Sequence, residues 1–280
     1  MLEARGLNFS YGKKQILKNV QLTADKGQII SLIGPNGSGK STLLRCLSGL
    51  LPVEKNKIYL FDKSLDSFNS KDIAKKIAFL PQFHEKLSGL TVYDLVAMGR
   101  MPYHRSGWVY TAKDKDIIDW AIDYMKISEF KNRDVQMLSG GERQRVWIAM
   151  ILAQDTPIIL LDEPVTYMDL KHQWNMLEII KNLKNNFQKT VISVFHDINH
   201  AIEISDYIYL LENGSIYNTG TPEEVITEKS IHDVFEINAH VCKINRCCKS
   251  VVVPVGFYKP QEMFSFHPSN ENYKEKTSLK

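Results

Sequence analysis

Directly after the apolar stretch Ile29–Ile33, the chain reads Gly34-Pro35-Asn36-Gly37-Ser38-Gly39-Lys40-Ser41. This run fits the pattern G-x-x-x-x-G-K-[ST] in full, and a segment of helical period follows it, as a phosphate-binding loop requires. The glycines allow backbone N–H groups to curl around phosphate oxygens at the positive end of the following helix. Lys40 adds a positive charge for the phosphates, and the hydroxyl of Ser41 is suited to Mg²⁺. The run therefore predicts a nucleotide-binding site.

The rest of the chain alternates short apolar stretches with longer segments of helical period, which predicts an α/β fold built on a mostly parallel sheet. Further buried strands are expected at 77–80, 158–161 and 191–195, each followed by polar residues. The Asn213-Gly214 turn predicts a hairpin between 207–211 and 215–219. Ligands of open α/β sheets bind beyond the carboxyl ends of the strands, so the chemistry is expected there.

Residues 1–256 are predicted to form one domain, followed by a tail. The first 27 residues are expected to form antiparallel strands beside the core, and the loop helix is expected to run from Lys40 to about Leu51. Between about 87 and 153 the pattern is helical, which predicts a helical subdomain inserted between two core strands. Residues 257–280, rich in Asn, Lys, Ser and Glu, are expected to form a partly disordered tail.

Composition limits the classes to which the protein can belong. With 280 residues, 44% hydrophobic and 24% charged, the chain is expected to be globular, and a net charge of +3 indicates no nucleic-acid partner. The longest apolar run, Val146–Ala153, is far shorter than the roughly 18 to 20 residues of a membrane-spanning helix. The N-terminus lacks the apolar stretch of a secretion signal. A cytoplasmic protein is therefore expected.

The four cysteines are too few for a disulfide framework. Cys242, Cys247 and Cys248, with His240 nearby, fit no common zinc pattern and are expected to be packed or exposed thiols. Cys46, on the helix after the phosphate loop, is expected to be a small core residue.

Two carboxylates follow the strand expected at 158–161. Asp162 is placed to hold Mg²⁺ through water, and Glu163 to orient and deprotonate an attacking water. By itself, a strand that ends in Asp-Glu is often only a solvated strand end. Its occurrence together with the phosphate loop indicates a hydrolytic site.

A second glycine-rich turn, Leu138-Ser139-Gly140-Gly141-Glu142, opens a helix whose N-cap is expected to be Ser139. Glycines in the first turn destabilise a helix by about 1 kcal/mol each relative to alanine. Their expected benefit is exposed backbone N–H groups that bind an anion. A capped turn without a ligand is the alternative, and the turn alone does not decide between the two.

Together, these motifs resemble those of the ATP-binding subunits of ATP-binding-cassette (ABC) transporters. The resemblance covers about residues 2–256 in the family's order, and it includes Leu161-Asp162-Glu163-Pro164 as well as Gln82 and His196 after their strands. It implies an ATPase with a P-loop NTPase core, an antiparallel β subdomain and an inserted helical subdomain. The implied cofactors are ATP and Mg²⁺.

The resemblance also implies the roles of individual residues. Glu163, His196, Lys40 and Gln82 would be catalytic, with His196 reaching the γ-phosphate. Mg²⁺ would be held by Ser41, Gln82 and Asp162. ATP would be bound by Gly34, Pro35, Asn36, Gly37, Ser38, Gly39, Lys40, Ser41 and Thr42, by Tyr11 stacked on the adenine, and by Ser139, Gly140 and Gly141.

The family further implies a head-to-tail homodimer, in which Ser139–Gly141 of one chain close over ATP held by the other, with Asp169 at the seam. The dimer would drive an integral-membrane permease as a peripheral protein on the cytoplasmic side of the cell membrane, and would serve a substrate-binding protein indirectly. The stretch from Gln82 to about Tyr103 is expected to contact the permease.

Two segments indicate the type of transporter. Asp94–His104, with its Gly99-Arg100-Met101-Pro102, and Glu163–Gln173 are similar to segments of importer ATPases for iron–siderophore complexes, haem and cobalamin. A cassette that energises a different transporter, and a non-transport cassette, stay open as alternatives. The signature Leu138–Glu142 and the absence of Asn-Lys-x-Asp argue against a kinase or GTPase.

Overall fold

The computed structural model describes residues 1–82, 89–104, 109–166, 168–243 and 249–257. The strands are β1 (Leu2–Tyr11), β2 (Lys14–Ala24), β3 (Ile29–Ile33), β4 (Ile58–Leu60), β5 (Lys63–Ser64), β6 (Ile77–Leu80), β7 (Ile158–Asp162), β8 (Thr190–Val194), β9 (Tyr207–Glu212), β10 (Ser215–Gly220), β11 (Ile237–Lys243) and β12 (Ser250–Phe257). The helices are α1 (Lys40–Leu47), α2 (Ser70–Ala74), α3 (Val92–Met98), α4 (Ala112–Tyr124), α5 (Gly140–Gln154), α6 (Leu170–Asn185), α7 (Ile198–Ile204), α8 (Pro222–Val225) and α9 (Glu228–Phe235). The predictions for Cys247, Cys248 and the tail from 258 to 280 lie outside the described residues.

The central sheet has six strands in the order β10-β9-β3-β8-β7-β6. Its strands are parallel except β10, which pairs antiparallel with β9 across the Asn213-Gly214 turn. All residues of β3, β7 and β8 are buried, because apolar layers cover both faces of the sheet. Because β3, β6, β7 and β8 run parallel, their carboxyl ends meet along one edge of the sheet.

Helix α1 lies between the central sheet and a second, antiparallel sheet of order β2-β1-β4-β5. One buried cluster joins all three elements, with Leu43, Leu44 and Leu47 of α1, Leu2 and Leu7 of β1, and Ile30 and Leu32 of β3. Cys46 is also fully buried on α1, as predicted, and burial raises the pKa of its thiol to about 12. This packing fixes the phosphate loop at the N-terminus of α1.

The helical segment α3–α5 is inserted between β6 and β7, and α3 and α4 pack on α5. Reciprocal capping boxes begin the three helices at Thr91, Thr111 and Ser139. Gly99 brings the end of α3 against α5, because a Cβ at this position would lie 2.2 Å from the carbonyl oxygen of Met150. Glycine is therefore required for this close approach.

Arg100, next to Gly99, is buried and connects α4 with the end of α5. Its Nε donates to Oδ1 of Asp114 over 2.9 Å, and its Nη1 donates to the carbonyl oxygen of Ala153 over 2.8 Å. Both side chains of the ion pair are buried. Burial raises the pKa of Asp114, but hydrogen bonds from Thr111 and Arg100 outweigh this effect and hold the pKa at about 2.

Replacing Arg100 with Met is expected to lower the free energy of unfolding by about 3 to 5 kcal/mol at neutral pH, because Asp114 stays buried without its ionic partner. The pKa of Asp114 is about 2 in the folded protein against an ordinary 3.8, so the pair contributes fully above about pH 4 and progressively less towards pH 2. Urea denaturation at pH 7 and pH 3 should therefore show a smaller penalty at pH 3. Arg5→Met, which breaks an exposed pair with Glu3, is the control and should change little.

The predicted α/β fold, with its parallel sheet, antiparallel N-terminal strands and hairpin at Asn213-Gly214, is confirmed. Helix α1 ends at Leu47 rather than about Leu51, since Gly49 adopts a φ of +76° and closes the helix. The β11–β12 hairpin was not among the predicted elements. The boundaries proposed for the helical subdomain, about 87–153, stay a prediction, and Leu87 lies outside the described residues. Across the described ranges, no helix has the length and apolar character to cross a membrane.

Candidate active site

The loop between β3 and α1 is shaped by two glycines. Gly34 has a φ of +152°, and a Cβ there would lie 2.1 Å from the carbonyl oxygen of Leu211. Gly39 has a φ of +101°, and a Cβ there would lie 2.8 Å from Cδ2 of Leu17. Both positions therefore require glycine. Gly39 is also the N-cap of α1, so no side chain caps the first N–H groups of that helix, which include those of Ser41 and Thr42.

Lys40 is buried, and its Nζ donates to the carbonyl oxygens of Gly34 and Pro35, each over 2.9 Å. Burial lowers the pKa of this ammonium, while the charges of Glu163 and Asp162 oppose that effect. Its positive charge is thus held at the inside of the loop. The Ser38 hydroxyl is buried and, among the described residues, has no hydrogen-bond partner. Asn36 and Gly37 are exposed at the tip of the loop.

Asp162, the last residue of β7, lies against the start of α1. The Ser41 hydroxyl donates to Oδ1 of Asp162 over 2.8 Å, and the carboxylate is almost fully buried, with 2% of the residue exposed. Burial raises the pKa of Asp162, the neighbouring Glu163 raises it further, and the bond from Ser41 opposes both. A buried carboxylate with a raised pKa beside a hydroxyl is a site where a bound cation would favour the ionised form.

Glu163 is a buried carboxylate at the centre of a group of polar side chains, of which Gln82 and Thr166 are partly buried and His196 is exposed. Gln82 Nε2 donates to its Oε2, Thr166 Oγ1 donates to the same oxygen over 3.1 Å, and His196 Nε2 lies 2.5 Å from its Oε1. Glu163 is 8% exposed and has a φ of +55°, a conformation that non-glycine residues seldom adopt. This left-handed turn directs the carboxylate away from the line of β7 and into the group.

The order of the strands brings this group together. Gln82 follows β6, Glu163 follows β7 and His196 follows β8, and these three strands are neighbours in the parallel sheet. Thr166 was not among the predicted site residues. It lies three residues after Glu163, in a turn closed by the Thr166 N–H, which donates to the Glu163 carbonyl oxygen over 3.4 Å, and no residue pattern marks this turn in advance.

Two sets of predicted residues lie apart from this centre. Tyr11 is 48% exposed at the end of β1, where its ring meets Phe9 edge-on, and the adjoining β2 contacts the loop through Leu17. Ser139, Gly140 and Gly141 form the N-terminus of α5, where Ser139 and Glu142 cap each other. Within the described ranges, no hydrogen bond joins Ser139–Gly141 to the phosphate loop.

The residues present fit ATP and Mg²⁺. The uncapped start of α1, the buried Lys40 ammonium and the unpartnered Ser38 hydroxyl are groups that bind phosphate oxygens. The Ser41 hydroxyl and Asp162 carboxylate, with the Gln82 amide nearby, are oxygen donors of the kind that Mg²⁺ prefers.

Comparison with known proteins gives consistent similarities. The family model described as ABC transporter matches residues 17–166. The iron(3+)-hydroxamate import ATP-binding protein of Bacillus subtilis (strain 168) is 40% identical over 262 residues, which make up 93% of this chain and 97% of that protein.

Two solved structures have the same fold. A transporter assigned to the metal-chelate type of ABC transporter, in an inward-facing conformation, has a TM-score of 0.79 at 27% identity and covers 92% of this chain and 98% of its own. A dimeric ATP-binding cassette in a post-hydrolysis state, with ADP and Pi bound, has a TM-score of 0.70 at 28% identity and covers 79% of this chain and 99% of its own.

Proposed function

The chain belongs to the ABC transporter family and is an ABC-type ATPase, as its motifs predicted, and from this membership we propose that it powers the uptake of an iron chelate through a membrane permease. The iron(3+)-hydroxamate relative and the metal-chelate type transporter support the iron chelate as cargo. Haem and cobalamin, which the sequence also indicated, are metal chelates too. Family membership excludes the kinase and GTPase alternatives.

The observation that carries the hydrolytic part of the proposal is the group of polar side chains that contacts the buried Glu163 carboxylate. Its carboxylate is held by Gln82, Thr166 and His196 at the edge of the sheet that also carries the phosphate loop. A base held in this way abstracts a proton from water without first being reorganised. Lys40 and the loop N–H groups bind the phosphates, and Tyr11 stacks on the adenine. Mg²⁺, held by Ser41, Asp162 and Gln82, would neutralise charge on the phosphate oxygens.

The proposal includes a homodimer. Ser139 and Gly140 are exposed at the start of α5, and within the described part of the chain no atom outside the helix lies within 4 Å of a Cβ placed on Gly140. An exposed helix start with glycine N–H groups is suited to the phosphates of a nucleotide bound by another copy of the chain. The dimeric cassette with ADP and Pi, to which this chain is 28% identical, supports this arrangement.

A groove of about 300 Å³ between α1, α2 and β6 is suited to contact with the permease. Its apolar lining includes Leu50, Ile73 and Phe79, and Leu50 is 61% exposed. Gln154 at the end of α5 also lines the groove. Its main-chain carbonyl oxygen accepts a 2.9 Å hydrogen bond from the Tyr103 hydroxyl. The groove thus adjoins the Gln82–Tyr103 stretch, and an apolar helix of the permease would fill it. In this proposal the chain lies on the cytoplasmic side of the membrane, and a substrate-binding protein acts indirectly through the permease.

The function is tested by reconstituting the chain with its permease in lipid vesicles and supplying Mg-ATP on the side of the ATPase. Uptake of a ferric hydroxamate should require ATP and should be lost in Glu163→Gln. Haem and cobalamin are tested in the same vesicles. Transport of none of these chelates, or export in place of import, would contradict the proposal.

The permease contact is tested with single cysteines at Leu50 and Met101, which are both exposed. Each should cross-link to a cytoplasmic loop of the permease, because one lies in the groove and the other begins the turn beside it. A cysteine at Val255, exposed on β12, is the matched control and should not cross-link. Cross-linking at Val255 alone would show that the contact lies elsewhere.

A further inference from the structure

His172, in the first turn of α6, takes no part in the chemistry assigned above, yet it is held firmly. Its backbone N–H donates to Oδ1 of Asp169, the N-cap of α6, over 2.9 Å. Its ring Nδ1 lies 2.7 Å from the same oxygen. One carboxylate oxygen therefore fixes both the start of the helix and the orientation of the ring.

The ring of His172 covers the first turn of α5. A Cβ built on Gly141 would lie 3.0 Å from Cδ2 of His172 and 3.4 Å from its Nε2. A cleft of about 210 Å³, lined in part by Arg145 and Met176, opens beside this contact. Because the cleft offers space for a displaced ring, the anchor that keeps the ring on Gly141 is its contact with Asp169.

A second contact joins the same two parts of the chain. The Gln144 side chain, one turn into α5, donates through Nε2 to the carbonyl oxygen of Pro164 over 3.3 Å. Pro164 directly follows Glu163, and His172 comes shortly after it. The start of α5 is thus contacted at two places, by Pro164 directly after Glu163 and by His172 in the first turn of α6.

We propose that His172 is a positioning residue that seats the Ser139–Gly141 turn against the connection between Glu163 and α6. This inference rests on the proposed function, in which that turn binds the nucleotide of a second copy. Through this contact, a shift of the start of α6 is transmitted to the turn, and a shift of the turn is transmitted to the start of α6. The contact also gives residue 141 a reason to be glycine that is separate from nucleotide binding.

A thermal-unfolding cycle tests the contact without any nucleotide. In the first turn of a helix, alanine is favoured over glycine by its intrinsic propensity. Gly141→Ala should lower Tm in the wild-type background, because the new Cβ meets the anchored ring. In the His172→Ala background the same change should raise Tm by about 2 to 4 °C. An equal shift of Tm in both backgrounds would overturn the proposal.

His172→Asn distinguishes the contact of the ring with Gly141 from the hydrogen bond of the ring to Asp169. An asparagine amide can still donate to Asp169 from the position of Nδ1, but it lacks the part of the ring that covers Gly141. Gly141→Ala should therefore be tolerated beside His172→Asn as well as beside His172→Ala. Lys171→Ala, an exposed neighbour on the same helical turn, is the control and should leave the cost of Gly141→Ala unchanged.

Dimer formation then tests the positioning role. In the Glu163→Gln background with Mg-ATP, His172→Ala should weaken dimerisation several-fold on size-exclusion chromatography. Nucleotide affinity of the single chain should stay within twofold, since the phosphate loop is untouched. Unchanged dimerisation would refute the positioning role. Failure of the Glu163→Gln chain itself to dimerise would instead contradict the proposed homodimer, whereas the thermal cycle would still measure the contact.

Discussion

Glu163→Gln is expected to bind ATP and form a dimer but to hydrolyse about 10² to 10⁴ times more slowly, because an amide cannot take a proton from water. This loss corresponds to roughly 3 to 5 kcal/mol of barrier. Ground-state binding should survive, since Lys40, Ser41 and Asp162 are unchanged. Removal of one negative charge near the phosphates also relieves like-charge repulsion.

The surroundings of Glu163 accept a glutamine without strain beyond that already present. The amide oxygen can take the place of Oε2 and accept from Gln82 and Thr166. The amide NH₂ then faces His196 Nε2, which accepts a hydrogen bond in the tautomer protonated at Nδ1. Glutamine has the same Cβ and Cγ as glutamate, so the φ of +55° costs no more than before. A catalytic defect would therefore report lost proton transfer and not misfolding.

Asp162→Asn provides the contrast. Asp162 receives the Ser41 hydroxyl bond and carries the carboxylate proposed for Mg²⁺, so its amide variant should lose Mg²⁺-dependent nucleotide affinity along with hydrolysis. Phosphate release and size-exclusion chromatography with Mg-ATP should be measured on both variants. The role assigned to Glu163 fails if its glutamine variant hydrolyses at near the wild-type rate, or loses ATP binding as severely as Asp162→Asn.

Lys40→Ala is expected to abolish ATP hydrolysis and to weaken nucleotide binding. The loop would lose its one side-chain ammonium, and hydrogen bonds to charged groups contribute about 1.5 to 3 kcal/mol each, or roughly ten- to more than a hundredfold in affinity. The carbonyl oxygens of Gly34 and Pro35 would also lose their shared donor, which loosens the loop.

Nucleotide affinity by calorimetry and turnover of the assembled transporter are the measurements for Lys40→Ala. Lys14→Ala, which removes an exposed lysine from the start of β2, is the matched control and should leave affinity within a few-fold. Wild-type turnover in Lys40→Ala would contradict the role of the loop.

Features governed by local sequence patterns could be predicted. The phosphate loop has fixed spacing, β3, β7 and β8 are continuous apolar runs, and the Asn213-Gly214 hairpin uses two residues with positive φ, +48° and +84°. The β11–β12 hairpin was missed although Ile237–Val241 alternates apolar and polar residues, because Pro254 interrupts the apolar run of the partner strand and the pairing has a register shift. Its strands depend on packing against α7 and α9, which no local pattern records.

Most residues of the site could be predicted from the sequence, but the contacts between them could not. Ser41 and Asp162 are 121 positions apart and were brought together by the strand-end rule for α/β sheets, whereas Gln82 and Glu163, 81 positions apart, were brought together by the resemblance of the motif order. The contacts of Thr166 and His172 depend on the left-handed turn at Glu163 and on the direction in which α6 leaves it. Backbone conformation of this kind is set by tertiary packing and cannot be read from residue types.

In the proposed homodimer, the exposed start of α5 makes the rate of ATP hydrolysis depend on the concentration of paired chains. Ser139–Gly141 are exposed or partly exposed and, among the described residues, make no hydrogen bond to their own phosphate loop, so in the proposed homodimer each chain would supply half of each of two sites. On the proposed function, turnover then follows the concentration of paired chains, and the rate per chain should fall when the free subunit is diluted. Two copies held on one permease meet at a high effective concentration that dilution does not lower. ATP is therefore hydrolysed chiefly by chains that are assembled on a permease.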